Sequence, residues 1–133
     1  MKNMIQQRVF LSGRIESNWQ DRVKAAIPSL EYFDPRDHGL QDPVQYITWD
    51  MHHIRIADVV FAYMEKDNPS GYGLATEVGY GKASGKTIIL VDERSAVDDK
   101  FREYFITVRA LSDITFDSLE DGISLLKQFV LRT

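Results

Sequence analysis

Apolar positions along this chain alternate between continuous runs and helical periods. Val9, Phe10 and Leu11 form a run inside residues 8–12, which ends in Ser-Gly and predicts a first strand. Asn18 stands where it can cap a helix reaching Ala26, with Pro28 marking its end. Residues 30–33 predict a short second strand, closed by Asp34-Pro35-Arg36, and residues 37–43 a loop. Val44, Ile47, Met51 and Ile54 then recur at helical spacing over residues 44–56. Residues 58–63 are nearly unbroken in their apolarity, as in a strand buried on both faces of a parallel sheet. Asn68-Pro69-Ser70-Gly71 is turn chemistry, residues 73–84 predict a helix that Gly85 caps, and residues 87–91 give the clearest strand. Residues 99–111 read as helical and residues 114–116 as a last strand. Ser118, with Asp121 three places on, opens a final helix whose buried stripe is Leu119, Ile123, Leu126 and Val130.

Strands alternating with helices imply a parallel sheet covered on both sides. Five of them predict an α/β fold, a flavodoxin-like doubly wound five-stranded parallel sheet with helices on both faces. The 133 residues fit one domain, taken as residues 1–133. Ligands of such sheets sit beyond the carboxyl ends of the strands. Three loops are thereby nominated: residues 12–19, 34–43 and 65–77.

Composition narrows the chemistry. Hydrophobic residues make up 44% and charged residues 27%, a globular balance with material for one core. A formal net charge of −4 argues against a nucleic-acid polymer as partner, while leaving room for one local phosphate pocket. There is no cysteine, which removes disulfides, thiolate metal sites and a thiol nucleophile. No stretch approaches the roughly 18 apolar residues that span a bilayer, and no signal-peptide core opens the chain. The expectation is a cytoplasmic protein that does not act at a membrane.

Familiar motifs fail at specific positions. Gly85-Lys86-Thr87 imitates the end of a phosphate-binding P-loop, but Tyr80 occupies the place of its first glycine. Gly71-Tyr72-Gly73 lacks the third glycine of a dinucleotide fingerprint, and no Gly-x-Ser-x-Gly elbow occurs. His52 and His53 are adjacent, so on a helix they diverge by about 100°. No metal site is expected.

The segment Asn68-Pro69-Ser70-Gly71-Tyr72-Gly73-Leu74-Ala75-Thr76-Glu77-Val78-Gly79-Tyr80-Gly81 leads from a ligand-facing loop into a helix start, where backbone N–H groups favour an anion. A lone helical glutamate is ordinarily a solvated surface residue. Leu74, Val78 and Gly81 are expected to face the sheet. Gly79 and Gly81 each weaken the helix by about 1 kcal/mol relative to alanine, which calls for a close neighbour or a ligand. A second chain is one such neighbour, hence an expected homodimer or larger homo-oligomer.

Phe10-Leu11-Ser12-Gly13, Asp50 followed by Ala57-Asp58-Val59-Val60, Glu77-Val78-Gly79-Tyr80 and residues 86–91 occur in order over most of residues 8–91. Together they resemble the nucleoside 2-deoxyribosyltransferase family, which includes related nucleotide N-glycosidases. The resemblance implies Glu77 as a nucleophile that attacks the sugar's anomeric carbon, and Asp50 as the group that helps protonate the leaving base. It implies a covalent glycosyl-Glu77 intermediate, then transfer of the sugar to another base or to water. A carboxylate suits an oxocarbenium-like transition state. The resemblance implies a nucleoside or nucleoside monophosphate as the small-molecule partner, and no cofactor is expected. Ser12, Gly13 and Arg14 match the segment that cradles the sugar and, in the hydrolases, its 5′-phosphate. Trp19 and Trp49 are candidates for stacking on the base. Asp34 and Arg36 lie on the second loop, and Ser70, Gly71 and Gly73 on the third, all expected to bind substrate. Asp58, at a strand start, is assigned a structural role.

Three positions depart from the family pattern. Phe10 stands where transferases carry a tyrosine that holds the nucleophile, a role left to Tyr72 or Tyr80. Gly71 stands where an acid or hydroxyl is usual, with Ser70 beside it. No asparagine follows Asn68, whereas transferases use a late one to complete a neighbour's site. Two rival readings follow: a non-catalytic nucleotide-binding module, and a dinucleotide glycohydrolase of related architecture.

Overall fold

A computed structural model describes residues 7–131, with side chains through residue 129. The elements run β1 (Arg8–Gly13), α1 (Trp19–Ala26), β2 (Glu31–Phe33), α2 (Pro43–Ile56), β3 (Val59–Met64) and α3 (Tyr72–Ala83). They continue with β4 (Thr87–Asp92), α4 (Glu93–Val97), α5 (Asp99–Tyr104), α6 (Ile106–Leu111), β5 (Ile114–Phe116) and α7 (Leu119–Leu131). The five strands are all parallel, in the order β2-β1-β3-β4-β5. This is the flavodoxin-like doubly wound sheet expected from the strand–helix alternation. The chain winds from β1 outward to β2 and then crosses to β3, so the winding reverses between β1 and β3. Loops leaving those two strands diverge there and open a crevice.

Strand alternation sorts the core into two layers. Val9, Leu11, Val59, Phe61, Tyr63, Ile89 and Val91 point to one face, against Trp19, Val23, Leu119 and Leu126. Phe10, Val60, Ala62, Met64, Ile88 and Leu90 point to the other, against Ile54, Leu74, Val78, Phe105 and Val108. Gly81 is the contact point of α3 with that second face: a Cβ there would stand 2.9 Å from Val60 Cγ2 and 3.0 Å from Ile88 Cδ1. Its close neighbour is therefore the sheet of its own chain. Gly79 has open space where a side chain would be.

Caps at both ends of the helices follow largely from the sequence. Gly85 takes φ 78°, its N–H bonds to Lys82, and the Lys86 N–H reaches back to the Gly81 carbonyl at 2.9 Å. The Ser118 hydroxyl accepts from the Asp121 N–H at 3.2 Å. Leu119 and Leu126 are buried and Ile123 half-buried; the side chain of Val130 lies outside those described. Asn18, expected as a cap, makes no side-chain capping bond and adopts φ 61°. The start of α1 is instead pinned by Trp19 Nε1–H and Gln20 Nε2–H, which both donate to the Arg14 carbonyl, at 2.8 and 2.9 Å.

Residues 99–111 are helical as expected, with α4 ahead of α5 and α6, so that residues 93–111 hold three short helices. Asp98 is extended between the first two, with its carboxylate bonded to the Phe101 N–H at 3.0 Å. The apolar stripe of α2 is buried only in its second half: Ile54 is buried and Met51 half-buried, while Val44 is 75% and Ile47 42% exposed. The early turns of α2 stand beside the crevice rather than over the sheet. Among the described residues no helix is long and apolar enough to cross a membrane.

Candidate active site

Three elements deliver one side chain each to a single point. Ser12 lies at the carboxyl end of β1, on the face that also carries Phe10; Asp50 is on the third turn of α2; Glu77 is on the second turn of α3. All three are buried, Glu77 retaining 8% of its surface and Asp50 6%. Ser12 Oγ donates to Glu77 Oε1 at 2.6 Å. The carboxyl groups of Glu77 and Asp50 are in hydrogen-bond contact with each other.

Two acids that meet away from water cannot both ionise freely. Burial first, and then the charge of Asp50, push the Glu77 carboxyl up to about 8, against the opposing Ser12 hydrogen bond. Burial likewise raises Asp50, opposed by its bond to Glu77 and by the nearby His38 and His53. Glu77 thus keeps a proton through neutral pH, with the Asp50 carboxyl beside it.

A cavity of about 480 Å³ opens where the winding reverses; Ser12, Asp50 and Glu77 do not line it themselves, but residues adjoining each of them do. Gly13, Arg14, Ser70, Gly71 and Gly73 line it, five of the residues expected to bind substrate. Tyr46, one turn before Asp50, and Leu74, one turn before Glu77, also line it. Its volume falls within the usual range of roughly 300–1,000 Å³ for small-ligand sites. Gly71 takes φ 87° at the start of α3, with Met64 Sδ 2.9 Å from where a Cβ would stand, so an acid or hydroxyl residue would be strained at that position. No side chain caps α3 and no acid occupies its first turn, which leaves the helix start open to an anion. Arg14 supplies the cavity's cationic side chain, with Glu16 Oε2 3.4 Å from its Nε.

Other expected residues are placed elsewhere. Trp19 is a core residue: it stacks on Phe61 at 6.3 Å, meets Tyr63 edge-on at 5.3 Å, and spends its N–H on Arg14. It has no face left for a base. Asp34 is fully buried and accepts from Arg36 and from Lys24, while Arg36 also bonds Asp21 at 2.8 Å. Burial alone would raise the Asp34 carboxyl, but those hydrogen bonds outweigh it and hold it below the ordinary carboxylate range. The pair ties the end of β2 to α1 and is saturated without a ligand. Asp58 is structural as expected, its carboxylate accepting from the Arg8 N–H at 2.8 Å.

Neither tyrosine proposed for the nucleophile reaches it. Tyr72 is 82% exposed, and the Tyr80 hydroxyl accepts from Arg55 at 3.0 Å. Ser12 holds Glu77 instead, two residues along the strand from Phe10 and on the same face. Trp49 stacks on His53 at 3.7 Å and meets the His38 ring edge-on at 5.0 Å. His38, whose Nε2 is 4.0 Å from Asp50 Oδ1, is the residue that pattern reading passed over. Its one signal was its place inside the second ligand-facing loop. Among the described residues no group of three or more histidine, aspartate or glutamate side chains is arranged to hold a metal ion.

The fold and the acid pair together define a doubly wound α/β domain with a carboxylate site at its switch point. The family model described as "Nucleoside 2-deoxyribosyltransferase like" matches residues 6–95, and the chain belongs to that family. Solved structures with the same fold include a conserved protein from Enterococcus faecalis V583, with TM-score 0.70 and 16% identity over 94% of this chain and 99% of that one. A 2-desoxiribosyltransferase from Leishmania mexicana aligns with TM-score 0.68 and 21% identity, over 94% of this chain and 97% of its own. The CMP N-glycosidase BcmB of Clostridium botulinum aligns with TM-score 0.61 and 22% identity, over 92% and 99%. No curated protein matches the sequence.

The acid pair has a consequence for stability. The folded-state value of Glu77, about 8, lies above its ordinary 4.5, so folding takes up a proton that the unfolded chain releases. The pair's stabilisation is then complete below about 4.5 and is lost as pH rises through about 8. Glu77→Gln, which mimics the protonated acid, is expected to gain melting temperature relative to wild type as pH rises through that window. A difference independent of pH, measured by thermal unfolding in a buffer series, would contradict the shared proton.

Proposed function

We propose that this member of an N-glycosidic enzyme family cleaves the bond between base and sugar in a (deoxy)nucleoside or its 5′-monophosphate. The observation that carries this reading is the buried Glu77–Asp50 pair, held by Ser12 and within one helical turn of residues that line a nucleoside-sized cavity.

One proton on two carboxyls gives the reaction both of its groups. In the reactive form Glu77 is ionised and Asp50 carries the proton. Charge developing on the sugar favours that form, because a negative Glu77 beside C1′ stabilises an oxocarbenium-like transition state. The C1′–N bond breaks with its electron pair passing to the base, Asp50 gives the base its proton, and a Glu77 oxygen bonds to C1′. A second base then attacks C1′ and returns its proton to Asp50, freeing Glu77. Two displacements retain the sugar's configuration. The Ser12 hydrogen bond fixes the attacking carboxylate and disperses part of its charge. Gly13, Ser70, Gly71 and Gly73 allow the backbone to approach the sugar.

Water as the acceptor is the second reading. Arg14 and the uncapped start of α3 in the same cavity favour a substrate bearing a 5′-phosphate, which accords with the hydrolytic branch of the family. Assembly into a homodimer or larger homo-oligomer is also proposed. It is supported by the exposed apolar side chains Val44, Ile47 and Tyr72 rather than by the glycines of α3.

Incubation with deoxynucleosides, deoxynucleotides and a second free base, resolved by chromatography, is expected to yield base release. Exchanged nucleoside identifies transfer; free sugar or sugar phosphate identifies hydrolysis. Asp50→Asn is expected to lose about 10²–10⁴-fold in rate, and Glu77→Ala to fall to background. Ligand binding by calorimetry without turnover would leave only a nucleotide-binding module. Light scattering is expected to give a mass of two chains or more, and a monomer at working concentration would remove the assembly proposal.

A further inference from the structure

His38 follows the turn at Pro35–Asp37 and points its ring at Asp50. Its Nδ1 accepts the Leu40 backbone N–H at 2.8 Å, so the neutral ring carries its own proton on Nε2. Nε2 is 4.0 Å from Asp50 Oδ1. That oxygen is buried and has no hydrogen-bond partner among the described residues. The ring is held edge-on to Trp49, with centroids 5.0 Å apart, and parallel to Tyr46 at 6.3 Å.

A buried oxygen without a donor is unfavourable, and far more so when it becomes anionic. Starting from the reactive form, in which Asp50 carries the proton, Asp50 becomes anionic as that proton leaves with the base. The separation of 4.0 Å exceeds a hydrogen bond by about one ångström, a gap that a small rotation of either side chain closes.

We propose that His38 is the positioning residue for Asp50: its Nε2–H closes onto Oδ1 as Asp50 gives its proton to the departing base. This rests on the N-glycosidic reading above. His38 keeps its own proton throughout; the proton transferred is that of Asp50, and the breaking C1′–N bond supplies the electron pair that receives it. The other ionisable groups facing Asp50 are Glu77 from α3 and His53 from its own helix. Glu77 becomes a neutral ester in the same step, and the His53 Nδ1 is engaged with the Trp49 carbonyl at 2.7 Å. His38 is the neighbour with a donor aimed at the new charge.

The test compares two variants on two leaving groups. His38→Phe keeps a ring between Tyr46 and Trp49 but removes the donor; His38→Gln returns an amide N–H near the position of Nε2. On a deoxynucleoside or deoxynucleotide, His38→Phe is expected to lower kcat about 10- to 100-fold, with KM within about threefold of wild type. His38→Gln is expected to recover most of that loss. On 4-nitrophenyl 2-deoxyriboside, whose leaving group departs without a proton, both variants are expected to match wild type. Equal losses on both substrates, or no loss on the natural one, would overturn the role of His38 while leaving the reaction in place. Wild-type protein that cleaves neither substrate overturns the reaction and this inference with it.

Discussion

Two carboxylic acids placed in contact and away from water must share a proton, and the site is organised around that constraint. Glu77 and Asp50 belong to different helices on one face of the sheet, and each alone would be an ordinary helical acid. Packed against one another they hold each other's ionisation in balance, with burial raising both. Ser12 opposes that rise at Glu77 by donating to its carboxyl, without outweighing burial. The remainder of the domain brings these three side chains together and keeps water from separating them.

The sheet does this through its topology. The winding reverses between β1 and β3, so the loops after those strands part, and Gly13, Arg14 and residues 68–71 become walls rather than contacts. Gly81 lets α3 sit against Val60 and Ile88, which fixes how deep Glu77 lies. Asp34 with Arg36, and Trp19 with Gln20, anchor the first two loops from behind. Residues expected at the ligand turn out to hold the frame around it.

That distinction explains what was legible in the sequence. Strand–helix alternation and the apolar run at residues 58–63 follow from local periodicity, and they yielded five strands and their parallel arrangement. Glu77 and Asp50 were legible through ordered motifs, although their contact is a tertiary fact. Asp34 and Arg36 were misplaced because an ion pair and a ligand clamp use the same residue types. Trp19 could not be sorted between core and crevice, since its orientation depends on Tyr63 and Phe61, more than forty residues away. Val44 and Ile47 kept a helical period on a part of α2 that the sheet does not cover. His38 carries no pattern of its own; only the fold brings it to Asp50.

The shared proton is open to direct observation by carbon NMR of protein labelled at its carboxyl carbons, with the Glu77 signal assigned by its loss in Glu77→Gln. The expected result is a Glu77 carboxyl that stays protonated through pH 7 and titrates near about 8, moving when Asp50 is changed to Asn. A Glu77 signal that titrates at its ordinary 4.5, unmoved by Asp50→Asn, would contradict it.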